Sequence, residues 1–299
     1  MKYFVSIFLF LLLYCGLTYP QDNNLSTIIK QGERPEKLSG DFSFTEGPAA
    51  DAAGNVYFTD QPNDRIMVWT INGKLSAFMQ PAGRSNGMFF DKQGFLWSCA
   101  DEKNELWRIS PDKKVEVVLN EYNGKLLNGP NDLWISPDGS LFFTDPFYKR
   151  PWWKHATMPQ EKQCVYYLSP DRKILKRIED DLGQPNGIIG TPDGKTLYVA
   201  DIGKNKTWSY TITQDGNLEN KQLFCELGSD GMTIDTKGNV YLTGKGVTVF
   251  DKTGKLIGNI EIPEGWTANV CFGGKDHKSL FITASKGLYR LKTKMKGAY

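Results

Sequence analysis

Short apolar runs bounded by polar turns recur along most of this chain, such as Leu133-Trp134-Ile135 and the aromatic, β-branched Val56-Tyr57-Phe58-Thr59 and Leu197-Tyr198-Val199. A period of two places alternate side chains on opposite faces of a strand. Between the runs stand Pro137-Asp138-Gly139, Pro192-Asp193-Gly194 and Lys237-Gly238-Asn239. Such turns join antiparallel strands, because glycine accepts the positive φ that they require. Beyond the first residues no stretch longer than a turn or two has helical spacing. The pattern predicts an all-β protein of short antiparallel strands.

A longer period lies over the short one. Six segments share one grammar: an oxygen-bearing signature, an apolar strand, a small turn and an aromatic, β-branched strand. They are TEGPAADAAGNVYFTD, SNGMFFDKQGFLWSCAD, PNDLWISPDGSLFFTD, PNGIIGTPDGKTLYVAD, SDGMTIDTKGNVYLTG and TANVCFGGKDHKSLFITA. Aligned on their strands, the signature positions are Glu46, Asn86, Asn131, Asn186, Asp230 and Asn269. A recurrence of roughly 40–55 residues predicts a six-bladed β-propeller with four-stranded blades. The last repeat ends at Gly287-Leu288-Tyr289-Arg290-Leu291, one strand short. The segment from Glu36-Lys37-Leu38 to Phe42-Ser43-Phe44 has no blade of its own and is expected to supply that strand, closing the ring. The spacing is stretched only between Asn131 and Asn186, by an insertion from Asp145 to His155. It follows a second strand, so it belongs at a mouth of the propeller. There it has two readings: a lid over a polar or anionic ligand, or tryptophans packing the insertion onto the blade below.

Lys2 followed by an apolar run from Tyr3 to about Tyr14 reads as a secretory signal, shorter than the ~20 apolar residues of a membrane span. The expected organisation is a signal peptide over 1–20, a linker over 21–35 and the propeller over 36–299. The chain is then exported, periplasmic or extracellular, with a lipid anchor at Cys15 as the alternative to a soluble form. The net charge of +2, with Lys and Arg scattered among Asp and Glu, argues against a nucleic-acid partner. Cys99, Cys164, Cys225 and Cys271 lie far apart without a CxxC pair, and buried free thiols are expected. Nothing in the composition demands an oligomer, so a monomer or weak dimer is expected.

Equivalent positions in a closed ring face one axis, so the six signature side chains are expected to converge. Each Asn-Gly or Asp-Gly by itself is a commonplace turn pair. Their shared register is not, since turn chemistry does not require an oxygen-bearing residue at the same place in every copy. Two carboxylates, Glu46 and Asp230, with the amides of Asn131 and Asn186, form a hard-oxygen ligand set. The chain has only two histidines, His155 and His277, and both stand outside the signature. Calcium, which accepts six to eight oxygens in loose geometry, is the expected ion. Magnesium, manganese and zinc remain open as alternatives. No nucleophile-elbow serine and no phosphate-binding glycine loop is present.

With these motifs the chain resembles the SMP-30/gluconolactonase/LRE-like family of six-bladed propellers. The resemblance runs from about Glu36 to the end and is carried by FTEGP (Phe44 to Pro48), LNGPND (Leu127 to Asp132), FTDPFY (Phe143 to Tyr148), QPNGI (Gln184 to Ile188), SDGM (Ser229 to Met232) and ANVCFGG (Ala268 to Gly274). It implies one catalytic divalent ion, often calcium, on Glu46, Asn186 and Asp230. Asn131 is implied as a further ligand in some members and a substrate contact in others. Many members carry Glu-His after the second-blade cysteine, where this chain reads Cys99-Ala100-Asp101-Glu102. The expected reaction is hydrolysis of a small-molecule lactone, with Asp230 orienting or deprotonating the attacking water. Asn86, Asp101 and Asn269 are candidates for substrate hydroxyls, with Tyr148, Arg150 and Trp152 reaching in from the insertion. A phosphotriesterase or arylesterase on the same site, or a propeller that binds carbohydrate or peptide without chemistry, stays open.

Overall fold

The structure, a computed structural model, describes residues 24–299. The apolar leader and Cys15 lie outside the described residues. Six four-stranded antiparallel sheets stand around one axis as a six-bladed propeller. The innermost strands are Thr45–Ala50, Ser85–Phe90, Leu133–Ile135, Pro185–Gly190, Met232–Ile234 and Thr267–Gly273. In blades one to five the four strands run outward from the axis in chain order.

The sixth blade is completed across the ends of the chain, as expected. Strand Glu36–Ser39 pairs with Gly287–Lys292, placing Glu36 opposite Arg290 and Lys37 opposite Tyr289. Two ion pairs fasten the same seam, Arg290 to Glu36 at 2.6 Å and Lys37 to Glu264 at 2.9 Å. The segment expected to be a linker also docks: Ile28 is fully buried and packs with Val249, Ile260 and Met295.

The core is distributed between blades. Large apolar side chains from facing sheets interdigitate, for example Trp97 and Cys99 of the second blade with Leu133 and Phe143 of the third. Removing such surface from water contributes about 1.5–3 kcal/mol per large side chain. Cys99, Cys164, Cys225 and Cys271 are buried free thiols, in agreement with their placement in apolar strands. Among the described residues no helix is long and apolar enough to cross a membrane.

Two local devices aim the signature at the axis. The inner-strand pairing slips between Glu46 and Ala49, between Ser85 and Met88, and between Pro185 and Ile188. An irregularity of this kind bends the strand and redirects a side chain. The glycine after the signature then abuts the neighbouring blade. A Cβ on Gly47 would overlap the carbonyl of Asn86, one on Gly187 would crowd the carbonyl of Asp230, and one on Gly231 would overlap the Asn269 side chain. The sequence pattern reads these glycines as turn residues. Their role is close approach between consecutive blades at the narrowest part of the ring.

Threonines add a second tie. Thr144 Oγ1 donates to the Asn186 carbonyl at 2.8 Å, and Thr243 Oγ1 to that of Ala268 at 2.7 Å. A second-strand hydroxyl of one blade thereby holds the inner strand of the next.

Candidate metal centre and active site

Glu46, Asn86, Asn131 and Asp230 line one cavity of about 260 Å³ at a mouth of the propeller, with Tyr148 and Arg150 entering from the insertion. Asn186 joins them through its amide, whose Nδ2 donates to Asp230 Oδ1 at 2.9 Å and to the Tyr148 hydroxyl at 2.8 Å. Trp266 Nε1 donates to the other oxygen, Asp230 Oδ2, at 2.6 Å. Each oxygen of Asp230 is thus held by its own donor, which fixes the plane of the carboxylate. Five of the six signature residues therefore meet, on five different blades.

The sixth is set lower. Asn269 lines a larger cavity of about 370 Å³ at the opposite end of the axis, with Met88, Leu133, Ile188, Met232 and Asp132. Its Oδ1 accepts from Val270 N at 2.8 Å, and its amide faces the carboxylates of Glu46 and Asp132. Asn269 thus braces the ring from beneath and stays away from the mouth. The larger cavity is walled mainly by apolar side chains, whereas the smaller one gathers the two carboxylates and the amides.

Asp101 and Trp152 also stand back from the mouth cavity. Asp101 is 1% exposed, and its Oδ2 lies 2.9 Å from Arg150 Nε and 3.1 Å from Gln61 Nε2. The Trp152 ring lies near two guanidinium groups, 4.7 Å from Arg84 and 5.7 Å from Arg150. Trp153 anchors the insertion: its Nε1 donates to the Asp101 carbonyl at 2.6 Å and its ring stacks on His155 at 4.8 Å. It also leaves no room for a side chain at Gly129, whose φ of +143° suits glycine. The two readings of the insertion divide by residue. Trp153 packs it down, while Tyr148 and Arg150 face the mouth.

Electrostatically the ring is deficient in positive charge. Burial pushes the Glu46 carboxyl well above its usual range, and the nearby charges of Asp230 and Asp132 add to the effect. Asp230 is pushed up to about 6 by burial, against the pull of Trp266, Asn186 and Arg150. Asp132 reaches about 8, again mainly through burial, although Leu133 N and Asn269 favour its ionised form. The Oδ1 atoms of Asn86 and Asn186 are buried with no hydrogen-bond donor among the described residues. Buried acceptors without donors are costly, and so are adjacent buried carboxylates. Among the described residues no three His, Cys, Asp or Glu side chains form a ready metal cluster. Two carboxylates completed by amide oxygens are instead the donor set of a hard divalent ion, and the residues present fit such an ion.

Sequence reasoning missed Asp132, Trp266 and Gln61. Asp132 had a signal, since it directly follows Asn131 in the third signature. Trp266 and Gln61 carried none, because only folding brings them beside Asp230 and Asp101.

The chain matches the family model described as SMP-30/Gluconolactonase/LRE-like region over residues 44–286. It is 30% identical to the gluconolactonase of Zymomonas mobilis, over 91% of this chain and 85% of that protein. The solved structure of a gluconolactonase from Xanthomonas campestris superposes with a TM-score of 0.83 at 29% identity, covering 90% of this chain and 92% of the other. A calcium-binding regucalcin from Agrobacterium tumefaciens shares the fold, with a TM-score of 0.74 at 19% identity over 89% of this chain and 95% of its own. On its sequence, its six closed blades and the ring at their mouth, this chain belongs to the SMP-30/gluconolactonase/LRE-like family.

Proposed function

We propose that this chain is a lactone hydrolase that works with a divalent cation, calcium being the expected ion, held by Glu46, Asn131, Asn186 and Asp230. The observation that carries the reading is the mouth ring itself: two buried carboxylates close enough that the charge of Asp230 raises Glu46, and amide oxygens left without donors. A protein that only binds carbohydrate or peptide has no need of such a deficit. Likeness to proteins named gluconolactonase supports a sugar-derived lactone as the substrate. When bound, the ion supplies polarisation of the ester carbonyl and stabilises the charge that grows on its oxygen.

The side chains supply the rest. Asp230, its plane fixed by Asn186 and Trp266, orients the attacking water and accepts its proton. Tyr148 receives the Asn186 N–H on its oxygen, which leaves its own O–H to donate to a substrate oxygen. Asn86 presents its amide to the same cavity and holds a ring hydroxyl. The mouth cavity of about 260 Å³ has room for one small ring, and the lactone's ring-locked ester lowers the demand on the base. Export, expected from the first residues, would place the enzyme where free lactones are met outside the cytoplasm.

The test is proton release from a panel of δ- and γ-lactones, with and without a chelator. Turnover is expected to vanish on metal removal and return with calcium. Asp230→Asn is expected to keep the fold and lose at least about 100-fold in kcat, the scale of a positioned general base. Activity that survives thorough chelation would remove the cation from the mechanism.

A further inference from the structure

One cation at the mouth has bonding capacity that the protein leaves unused. Arg150 is about four-fifths buried, with 20% of its side chain exposed, and it faces the same cavity as Glu46, Asn131 and Asp230. Its charge is paired with Asp101 through Nε at 2.9 Å, although that N–H finds no well-aligned hydrogen bond. Among the described residues neither Nη nitrogen donates to any acceptor, and neither is sealed from solvent. The guanidinium is held in place by aromatic surfaces, lying 5.2 Å from the Tyr148 ring centre and 5.7 Å from that of Trp152. Behind it, Asp101 is itself fixed by Gln61. The whole arrangement is pinned to the second blade through Trp153.

A planar fork with two free corners, oriented from behind and directed into a cavity, matches a carboxylate in the bidentate mode. The surroundings add to this preference. Arg84 also lies over Trp152, with its Nη1 committed to the Pro62 carbonyl at 2.8 Å. Lys149, next to Arg150 in the chain, and Lys154 of the same insertion are exposed. The acidic side chains facing this cluster are Asp101, already paired, and Glu102, whose carboxylate lies 3.9 Å from Arg84. Glu46 and Asp230 line the inner ring, where a bound divalent ion would neutralise them. The rim is therefore positive toward an incoming ligand.

We propose that Arg150 recognises an anionic group on the substrate, and that the preferred substrates are lactones bearing a free carboxylate away from the ester ring. This rests on the lactone-hydrolase reading above. Arg150 acts as a specificity residue, and Asp101 and Trp152 position it.

The experiment compares a neutral aldonolactone with the monolactone of an aldaric acid, which carries a second, free carboxylate. The ratio of their kcat/KM values is measured for the calcium-loaded wild type, for Arg150→Lys, and for a double variant with Arg150→Gln and Asp101→Asn. The double variant removes the ion pair together, so that no buried carboxylate is left alone. The wild type is expected to favour the acidic lactone through a lower KM, with a preference that weakens as salt rises. The ratio is expected to fall on the order of 10–100-fold in the double variant, the scale of a hydrogen bond to a charged group, and less in Arg150→Lys. Calorimetry with the open dicarboxylate gives a reading independent of turnover, with binding tighter than for the monocarboxylate only when Arg150 is present. A wild type that opens the neutral lactone without favouring the acidic one, or a ratio unchanged in the double variant, overturns the proposal. If neither lactone opens, the hydrolase reading falls, and calorimetry alone decides the anion site: equal binding of the two acids overturns it.

Discussion

Asp132, a buried carboxylate pushed up to about 8, offers the sharpest test of the electrostatics. It is 6% exposed, beneath the ring, and burial raises it to about 8 with help from the charge of Asp230. The perturbation is Asp132→Asn, which keeps the oxygen that accepts from Leu133 N at 2.9 Å and removes the titration. In the folded chain Asp132 holds its proton up to about pH 8, whereas in the unfolded chain it loses it near pH 3.9. Between those values the native state binds the extra proton, so stability is lost as pH rises. The slope is about 1.4 kcal/mol per pH unit, and the full span is on the order of 5 kcal/mol. The assay is urea unfolding of wild type and variant from pH 5 to pH 8.5 in excess chelator, with m-values compared to verify that the denatured states match. Asp145, raised to about 7 by its own burial, acts alike in both proteins and cancels in the difference. The variant is expected to gain roughly 3–4 kcal/mol on the wild type between pH 5 and pH 8 and then level off. A difference that stays flat within about 0.5 kcal/mol across that range would show that Asp132 ionises normally and that burial here does not penalise charge.

Two further substitutions probe the geometry around the ring. Trp266→Phe removes the N–H that holds Asp230 Oδ2 at 2.6 Å, while the Asn186 contact remains. Steady-state kinetics are expected to show kcat falling on the order of 10–100-fold with KM little changed, and an unaltered kcat would exclude Trp266 as a positioning residue. Gly231→Ala puts a methyl group into the Asn269 side chain, whose amide faces Glu46 and Asp132. Overpacking of this kind costs about 1–3 kcal/mol, read as a lowered urea midpoint, and a variant as stable as wild type would mean that the blades can separate without penalty.

Much of the fold is legible because its signals are local. The short apolar, β-branched runs, the turns at Pro137-Asp138-Gly139 and Pro192-Asp193-Gly194, and each copy of the signature all lie within single blades. They specify strand type, strand order and the number of blades. Even ring closure follows from counting, since the last repeat lacks a strand and Glu36–Ser39 lacks a blade. The shared register of Glu46, Asn86, Asn131, Asn186 and Asp230 likewise predicts that they meet, because identical local geometry around an axis must converge.

What sequence alone did not decide is everything that depends on contact between blades or on the insertion. Asn269 shares the signature register but braces Glu46 and Asp132 from beneath, because Gly231 of the preceding blade presses against its side chain. Asp101 looked like a pocket residue and proves to be the buried partner of Arg150, a pairing set by how Trp153 docks the insertion. Trp266 reaches Asp230 from another blade, with no spacing rule to announce it. Backbone periodicity is a property of neighbouring residues, so the chain states it directly. The direction of a side chain and the burial of a charge depend on atoms contributed by distant segments, and those are settled only when the ring closes.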